Sequence, residues 1–254
     1  MITIYTVEEI RHLREGGKRL AKVLCAVRDA VKPGVSTKDL DILAEKLIRE
    51  GGDEPAFLDY TPDGADFPFP ATLCTSVNDE IVHGIPKAGR ILKEGDIIGI
   101  DLGLKHKGLF VDMAFTVPVG EVDEKASKLI ATTEESLKKA IEVVRPDARV
   151  SDIGNAIGAF VGPGYGIVRE LGGHGVGHEI HEEPYIPNFT QKTVGAKLRP
   201  GMVIAIEPML NEGTRGIILD SDGYTFKTQD GKRSAHFEHT ILVTETGHEV
   251  LTQE

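Results

Sequence analysis

The stretch from Ile97 to Val117, IIGIDLGLKHKGLFVDMAFTV, constrains the fold more than any other part of the chain. It alternates with period two. Ile98, Ile100, Leu102 and Leu104 share one face, and Gly99, Asp101 and Gly103 share the other. Beyond a polar break, Leu109, Val111, Met113, Phe115 and Val117 share a face, with Gly108, Phe110, Asp112 and Ala114 opposite. Such alternation predicts two strands with one buried face. Lys105-His106-Lys107-Gly108 reads as the tight turn between them, Gly108 being free to take a positive φ. With His106 and Lys107 as the loop residues, Asp101 stands directly across from Asp112, and two facing carboxylates repel. Protonation, a nearby Arg or Lys, or a metal cation would relieve the repulsion. No Arg or Lys lies on that face, and Gly99, Gly103 and Ala114 leave room beside the acids. A divalent cation is therefore the leading explanation.

The remaining composition narrows the setting. The 254 residues, 40% hydrophobic and 27% charged, can bury an ample core. A formal net charge of −11, without a Lys/Arg cluster, argues against a nucleic-acid partner. Two cysteines, Cys25 and Cys74, without paired spacing, point to a reducing compartment and to neither a disulfide framework nor a zinc knuckle. The N-terminal residues lack a signal-peptide core, and no run approaches the roughly 20 apolar residues of a membrane span. The expectation is a soluble cytoplasmic protein with no membrane partner. No apolar stripe argues for an oligomer, which leaves a monomer as the default.

The chain also repeats itself. Thr6, with Glu9 as its capping-box partner, starts a helix that runs to about Val31, weakened midway by Gly16-Gly17 and stopped by Lys32-Pro33-Gly34. Ser36 or Thr37 caps a second helix, ended by Gly51-Gly52. A loop from Phe57 to Pro70 follows, then short strands at Ala71 to Val77 and Glu80 to His83, then the acid-bearing hairpin. After Gly120 the plan restarts. A helix spans Asp123 to Val144, Arg145-Pro146-Asp147 stops it, and Ser151 caps the next. LKEGDIIGID (Leu92 to Asp101) matches LRPGMVIAIE (Leu198 to Glu207), and FVDMAFTV (Phe110 to Val117) matches HFEHTILV (His236 to Val243). The reading is an α+β fold in one catalytic domain, 1–254, made of two similar halves, about 1–120 and 121–254, each with two helices and an acid-bearing hairpin. Facing halves would bring Asp101, Asp112, Glu207 and Glu238 together. Duplication alone accounts for the similarity, but the recurrence of both acids favours a shared metal site over a structural cluster with Arg or Lys partners.

Three histidines lie in ELGGHGVGHEIHEEP: His174, His178 and His181. The surrounding glycines argue against a helix, and the His178–His181 spacing is one residue short of the zincin signature. Beside a four-carboxylate site, one of these three is expected to be a ligand. His83, in IVHGIP, is a separate candidate. His12, His106, His236, His239 and His248 read as peripheral. Four carboxylates and an imidazole suit two divalent ions of the Mn, Fe, Co or Zn type, which makes hydrolysis the natural chemistry. No P-loop, GxSxG elbow or dinucleotide fingerprint is present, and Gly162 to Gly166 reads as a turn-rich loop.

The order Asp101, Asp112, His174, Glu207, Glu238, set in NDEIVHGIP, GGHGVGHEIHEEP, AIEPML and FEHTILVTETG, closely resembles the methionine aminopeptidases of the pita-bread fold, over nearly the whole chain. The absence of a zinc-binding extension and of a long insert between His174 and Glu207 resembles the type I form. The resemblance implies that Asp112 and Glu238 bridge two metals, that Asp101 completes one metal site, and that His174 and Glu207 complete the other. It implies attack by a metal-bound hydroxide on the carbonyl of an N-terminal methionine, with Glu207 moving protons, His181 hydrogen-bonding the carbonyl and His83 contacting the amide nitrogen or the departing group. It places a methionine pocket at Tyr60, Phe69, Cys74, His83 and Tyr224, near Phe57 and Ile180. Its implied partners are N-terminal peptide substrates, nascent chains at the ribosome included, with a small second residue. Ile180 and Tyr224 stand where the family often has an aromatic residue and a tryptophan, and the loop Thr61 to Pro68 is longer than the compact bacterial pattern. Competing readings are a prolidase or aminopeptidase P, and a non-catalytic binding protein of the same fold.

Overall fold

A computed structural model describes residues 2–62 and 64–253. Asp63, in the Thr61 to Pro68 loop, lies outside the described residues. In chain order the first half comprises α1 (Val7–Ala30), α2 (Thr37–Glu50), β1 (Glu54–Pro55), β2 (Leu73–Val77), β3 (Glu80–Val82), β4 (Ile97–His106) and β5 (Leu109–Pro118). The second half starts with α3 (Glu124–Glu142) and α4 (Val150–Val161). The short strands β6 (Gly166–Ile167), β7 (Gly173–Gly175), β8 (Glu182–Ile186), β9 (Val203–Ile206) and β10 (Met209–Asn211) follow. The chain ends with β11 (Ile217–Leu219), β12 (Phe226–Thr228), β13 (Ser234–His236), β14 (Glu238–Val243) and β15 (His248–Val250).

Each helix starts where the local chemistry dictates. The Thr6 hydroxyl accepts from the Glu9 N–H, and the Glu9 carboxylate accepts from the Thr6 N–H at 2.8 Å, closing a capping box. Ser36, not Thr37, caps α2, with Asp39 returning the bond to the Ser36 N–H. The corresponding acid of α4 is Asp152, which accepts from the Arg149 N–H at 2.8 Å, so the cap falls at Arg149 and the expected cap Ser151 lies inside the helix. Asp152 is N3, as Asp39 is, and the cap must stand three residues ahead of it. Gly16 and Gly17 do not interrupt α1. A Cβ on Gly17 would stand 2.3 Å from the Leu251 carbonyl oxygen, and one on Gly16 would stand 3.0 Å from the His106 Cβ. The pair is a site of close approach between helix and sheet.

The main sheet is antiparallel, in the order β1-β4-β5-β14-β9-β7-β8, with β2 also on β4 and β15 also on β14. Its centre is the β5–β14 seam, where Glu238 pairs with Ala114 and His239 with Met113. The halves therefore meet strand to strand around one curled sheet, the pita-bread arrangement. The β4–β5 register differs from the sequence expectation. Asp101 pairs with Ala114 and Gly103 with Asp112, because the loop residues are Lys107 and Gly108, at φ 50° and 85°. Two positive φ values give a turn that matches strand twist, and Gly108 fits it better inside the loop than beside it. Moving the loop by one residue shifts the pairing by two, so both aspartates keep the same face but stand diagonally.

Both faces of the hairpin are buried, not one. Ile98, Ile100, Leu102 and Leu104 are fully buried, and their face continues through His106 and Val111 to Gly16 of α1. Asp101 and Asp112, on the other face, are 9% and 3% exposed. His106, expected at the periphery, is buried. Its Nδ1 lies 2.6 Å from Asp53 Oδ1 and its Nε2 3.2 Å from Glu15 Oε2, tying the hairpin tip to α1. The second acid-bearing pair is not a hairpin. The chain leaves β9, builds the small sheets β13-β10-β6 and β11-β12-β3, and returns in β14. That excursion carries Tyr224 to the site. No helix among the described residues is long and apolar enough to cross a membrane.

Candidate metal centre

The acids converge because β5 and β14 are neighbours. The diagonal pair Asp101 and Asp112 comes from β4 and β5. Glu238 opens β14, and Glu207 follows the last residue of β9, Ile206, which pairs with His239. His174 is the central residue of β7, which pairs with β9 at Gly175. All five line one cavity of about 90 Å³. Ligand atoms of Asp112, His174 and Glu238 lie within 4.8 Å of one another, and His174 Nε2 lies 3.5 Å from Glu207 Oε1. The His174 Nδ1–H donates to the Gly175 carbonyl at 3.0 Å, which turns the Nε2 lone pair toward the acids.

Burial dominates the electrostatics. It pushes the Asp112 carboxyl up to about 7 and, helped by the Asp112 charge, that of Glu207 up to about 8. Asp101 and Glu238 are raised well above the usual carboxylate range, by burial first and by the neighbouring acids second. Burial likewise pulls His174 down to about 3 and His83 to about 4, so both imidazoles are neutral and able to ligate or to accept. Among the described residues, no Arg or Lys side chain lines the cavity. Asp101 Oδ1 and Glu238 Oε1 are buried without hydrogen-bond partners. Buried oxygens left over from protein hydrogen bonding, four acids without a basic partner and an imidazole lone pair fit a divalent-cation centre.

The expected substrate residues line the same cavity: Tyr60, Phe69, Cys74, His83, His181 and Tyr224, together with Phe57. Pro62 joins them without having been foreseen. Gly103 is what lets this wall close. A Cβ there would stand 2.7 Å from Phe57 Cε1 and 3.2 Å from Ile180 Cδ1. Ile180 is buried behind the wall, not part of the lining. His181 Nδ1 lies 2.9 Å from the Tyr60 hydroxyl, and its ring stands 4.5 Å from that of His174, edge to face. His83 adopts φ 59°, a left-handed conformation rare outside glycine, and Gly84 beside it packs against the Thr75 carbonyl.

His178, the third histidine of the glycine-rich stretch, is not in the cavity. Its Nε2 lies 2.8 Å from Glu9 Oε1, on the N-terminal turn of α1. Its neighbour Glu182 gathers the loop, accepting from the N–H groups of His178 and Glu179, from the Tyr5 hydroxyl at 2.9 Å and from the Thr3 hydroxyl at 2.8 Å. His236, expected at the periphery, faces the acids, with Nε2 3.7 Å from Glu207 Oε2. The period-two pattern that places Glu238 also places His236, two residues earlier, on the same side.

Fold and site together define a metallopeptidase. The sequence profile of metallopeptidase family M24 matches residues 11–245, and the chain belongs to that family. Within it, the similarity is to methionine aminopeptidases. The chain is 45% identical to the methionine aminopeptidase of Aquifex aeolicus over 99% of each chain, and 44% identical to methionine aminopeptidase 1 of Bacillus subtilis over the full length of both. It superposes on the crystal structure of the Thermotoga maritima methionine aminopeptidase with a TM-score of 0.95, at 42% identity and with complete coverage of both chains.

Proposed function

We propose that this chain removes the N-terminal methionine from peptides and nascent chains whose second residue is small, with two divalent ions as cofactors. The observation that carries the reading is one cavity lined both by four acids and His174 and by a wall of aromatic and sulfur groups. Such a wall suits a thioether side chain. Asp101, Asp112, His174, Glu207 and Glu238 would hold the ions. The bound ions would be of the Mn, Fe, Co or Zn type and would lower the pKa of a water and polarise the scissile carbonyl.

The chain's own residues supply the rest. With the Tyr60 hydroxyl donating to His181 Nδ1, the His181 Nε2–H is free to donate to the scissile carbonyl oxygen as it gains negative charge. Glu207 takes the proton of the attacking water and returns it to the departing amide nitrogen. His83 contacts that nitrogen, while Phe69, Cys74 and Tyr224 enclose the methionine side chain. The acidic net charge and the two-cysteine composition accord with action in the cytoplasm.

The test is hydrolysis of Met-Ala-Ser and of Xaa-Pro peptides after metal stripping and reloading with Mn, Fe or Co. Release of methionine only when metal is present, lost in Asp112→Ala, is the expected result. Cleavage confined to Xaa-Pro peptides would move the chain to the prolidase side of the fold. No cleavage with any metal would favour a binding protein.

A further inference from the structure

His236 ends β13, and its backbone is held from both sides. Its N–H donates to Thr116 Oγ1 at 2.9 Å, and the same hydroxyl donates to its carbonyl oxygen at 3.0 Å. Across the small sheet it pairs with Met209, two residues beyond Glu207. The backbone that carries the ring is thus fixed relative to β5 on one side and to the segment carrying Glu207 on the other.

From that position Nε2 points at carboxylates. It stands 3.7 Å from Glu207 Oε2 and 3.9 Å from Glu238 Oε2, is sealed from solvent, and has no hydrogen-bond partner. A neutral imidazole presents either a lone pair or an N–H at each nitrogen, and ionised carboxylates only accept. With the centre loaded by a dication both carboxylates are ionised and only accept, so Nε2, which faces them, carries the hydrogen. The side-chain oxygens of Glu207 then lie between two imidazoles, Oε1 toward His174 and Oε2 toward His236. His174 presents its lone pair inward because its Nδ1–H is spent on Gly175, so His236 is the donor of the two.

We infer that His236 is a positioning residue, whose Nε2–H closes the 3.7 Å gap to Glu207 Oε2 when the centre is loaded and so aims the remaining oxygen into the metal centre. The inference rests on the reading of Glu207 as a metal ligand. Partners of this kind set metal affinity, and their loss costs roughly 10- to 100-fold.

The test compares metal-stripped wild type, H236Q and H236M for Mn(II) binding by titration calorimetry and electron paramagnetic resonance, without substrate. Glutamine and methionine have similar size, but only glutamine offers an N–H at comparable reach. The expected result is Mn(II) affinity about 10- to 100-fold weaker in H236M, with most of it recovered in H236Q. H236A, compared with H236Q, gives the same reading should H236M fail to fold. Equal affinity in wild type and H236M, or equal loss in H236Q and H236M, would overturn the role of the N–H. Tight Mn(II) binding without methionine release would overturn the proposed activity and leave His236 in place. A wild type that binds no Mn(II) would overturn both.

Discussion

His181 and Gly103 show how single residues decide this site. The Tyr60 hydroxyl holds His181 Nδ1, and in the proposed mechanism His181 donates toward a developing oxyanion, an interaction stronger in the transition state than in the ground state. His181→Ala should therefore lower kcat by about 100-fold or more and leave KM nearly unchanged, as steady-state kinetics on a methionyl tripeptide would show. Gly103 acts on the pocket instead. In Gly103→Ala the new methyl would stand under 3 Å from Phe57 and Ala56, and their displacement should raise KM for methionyl substrates more than it lowers kcat. The four acids were legible in the sequence because acids on the apolar alternation of a strand demand an explanation, whereas His174 was singled out among its neighbours only by the family resemblance. His236 obeyed the same alternation two residues before Glu238, but a histidine on a strand is ordinary and raised no demand. Pro62 and the Tyr60–His181 bond depend on how the Phe57 to Pro70 loop folds back, and that loop has no periodicity to read.

Among the elements, the helices were the most legible, because caps and stripes are local. The capping boxes at Thr6 and Ser36 show this, as does the miss at Ser151, where the acid at N3 and not the hydroxyl marks the start. The glycine pair of α1 carried the opposite lesson. Its role is set by Leu251 and His106, distant in sequence, so it read as weakness when it is contact. Gly17→Ala should destabilise the protein by about 1–3 kcal/mol in a denaturant titration, since the obstructing atom is a backbone carbonyl oxygen and cannot swing aside. The N-terminal arm should matter for the loop that bears His181. Removing the Glu182 carboxylate in Glu182→Ala orphans the Glu179 N–H, leaves the His178 N–H only the Tyr5 hydroxyl, and takes the acceptor from Tyr5 and Thr3. Faster amide exchange confined to residues 177–182, with a lower kcat, is the expected outcome.

At the scale of the molecule, the candidate metal centre is a source of instability when it holds neither metal nor protons. Asp112 and Glu207 titrate at about 7 and 8 in the folded chain, above their ordinary values of 3.8 and 4.5, so the folded state binds more protons than the unfolded one across that interval. Their contribution to stability is thus fully present at low pH and is lost as pH rises through 7 and 8. The melting temperature of metal-free protein, followed by calorimetry, should fall as pH is raised from about 4.5 to 8, and metal should reverse the fall by binding the folded state with release of protons. The long-range facts that shape this centre, the diagonal Asp101–Asp112 register and the β10 to β13 excursion, depend on one turn residue and on sheet pairing. Pattern in the sequence therefore announced two similar halves but not how far the second departs from a hairpin.

That departure has a directional meaning. Two identical halves placed about an axis would present a bound chain with the same groups whichever way it ran, and could not tell an amine end from a carboxyl end. Joined in one polypeptide across the β5–β14 seam, the halves are free to differ. One contributes two short, diagonal aspartates, and the other two longer glutamates, a histidine pair and the loop carrying Tyr224. The cavity therefore has a head and a tail, and polarity along a peptide can be read by a scaffold whose plan is nearly symmetric.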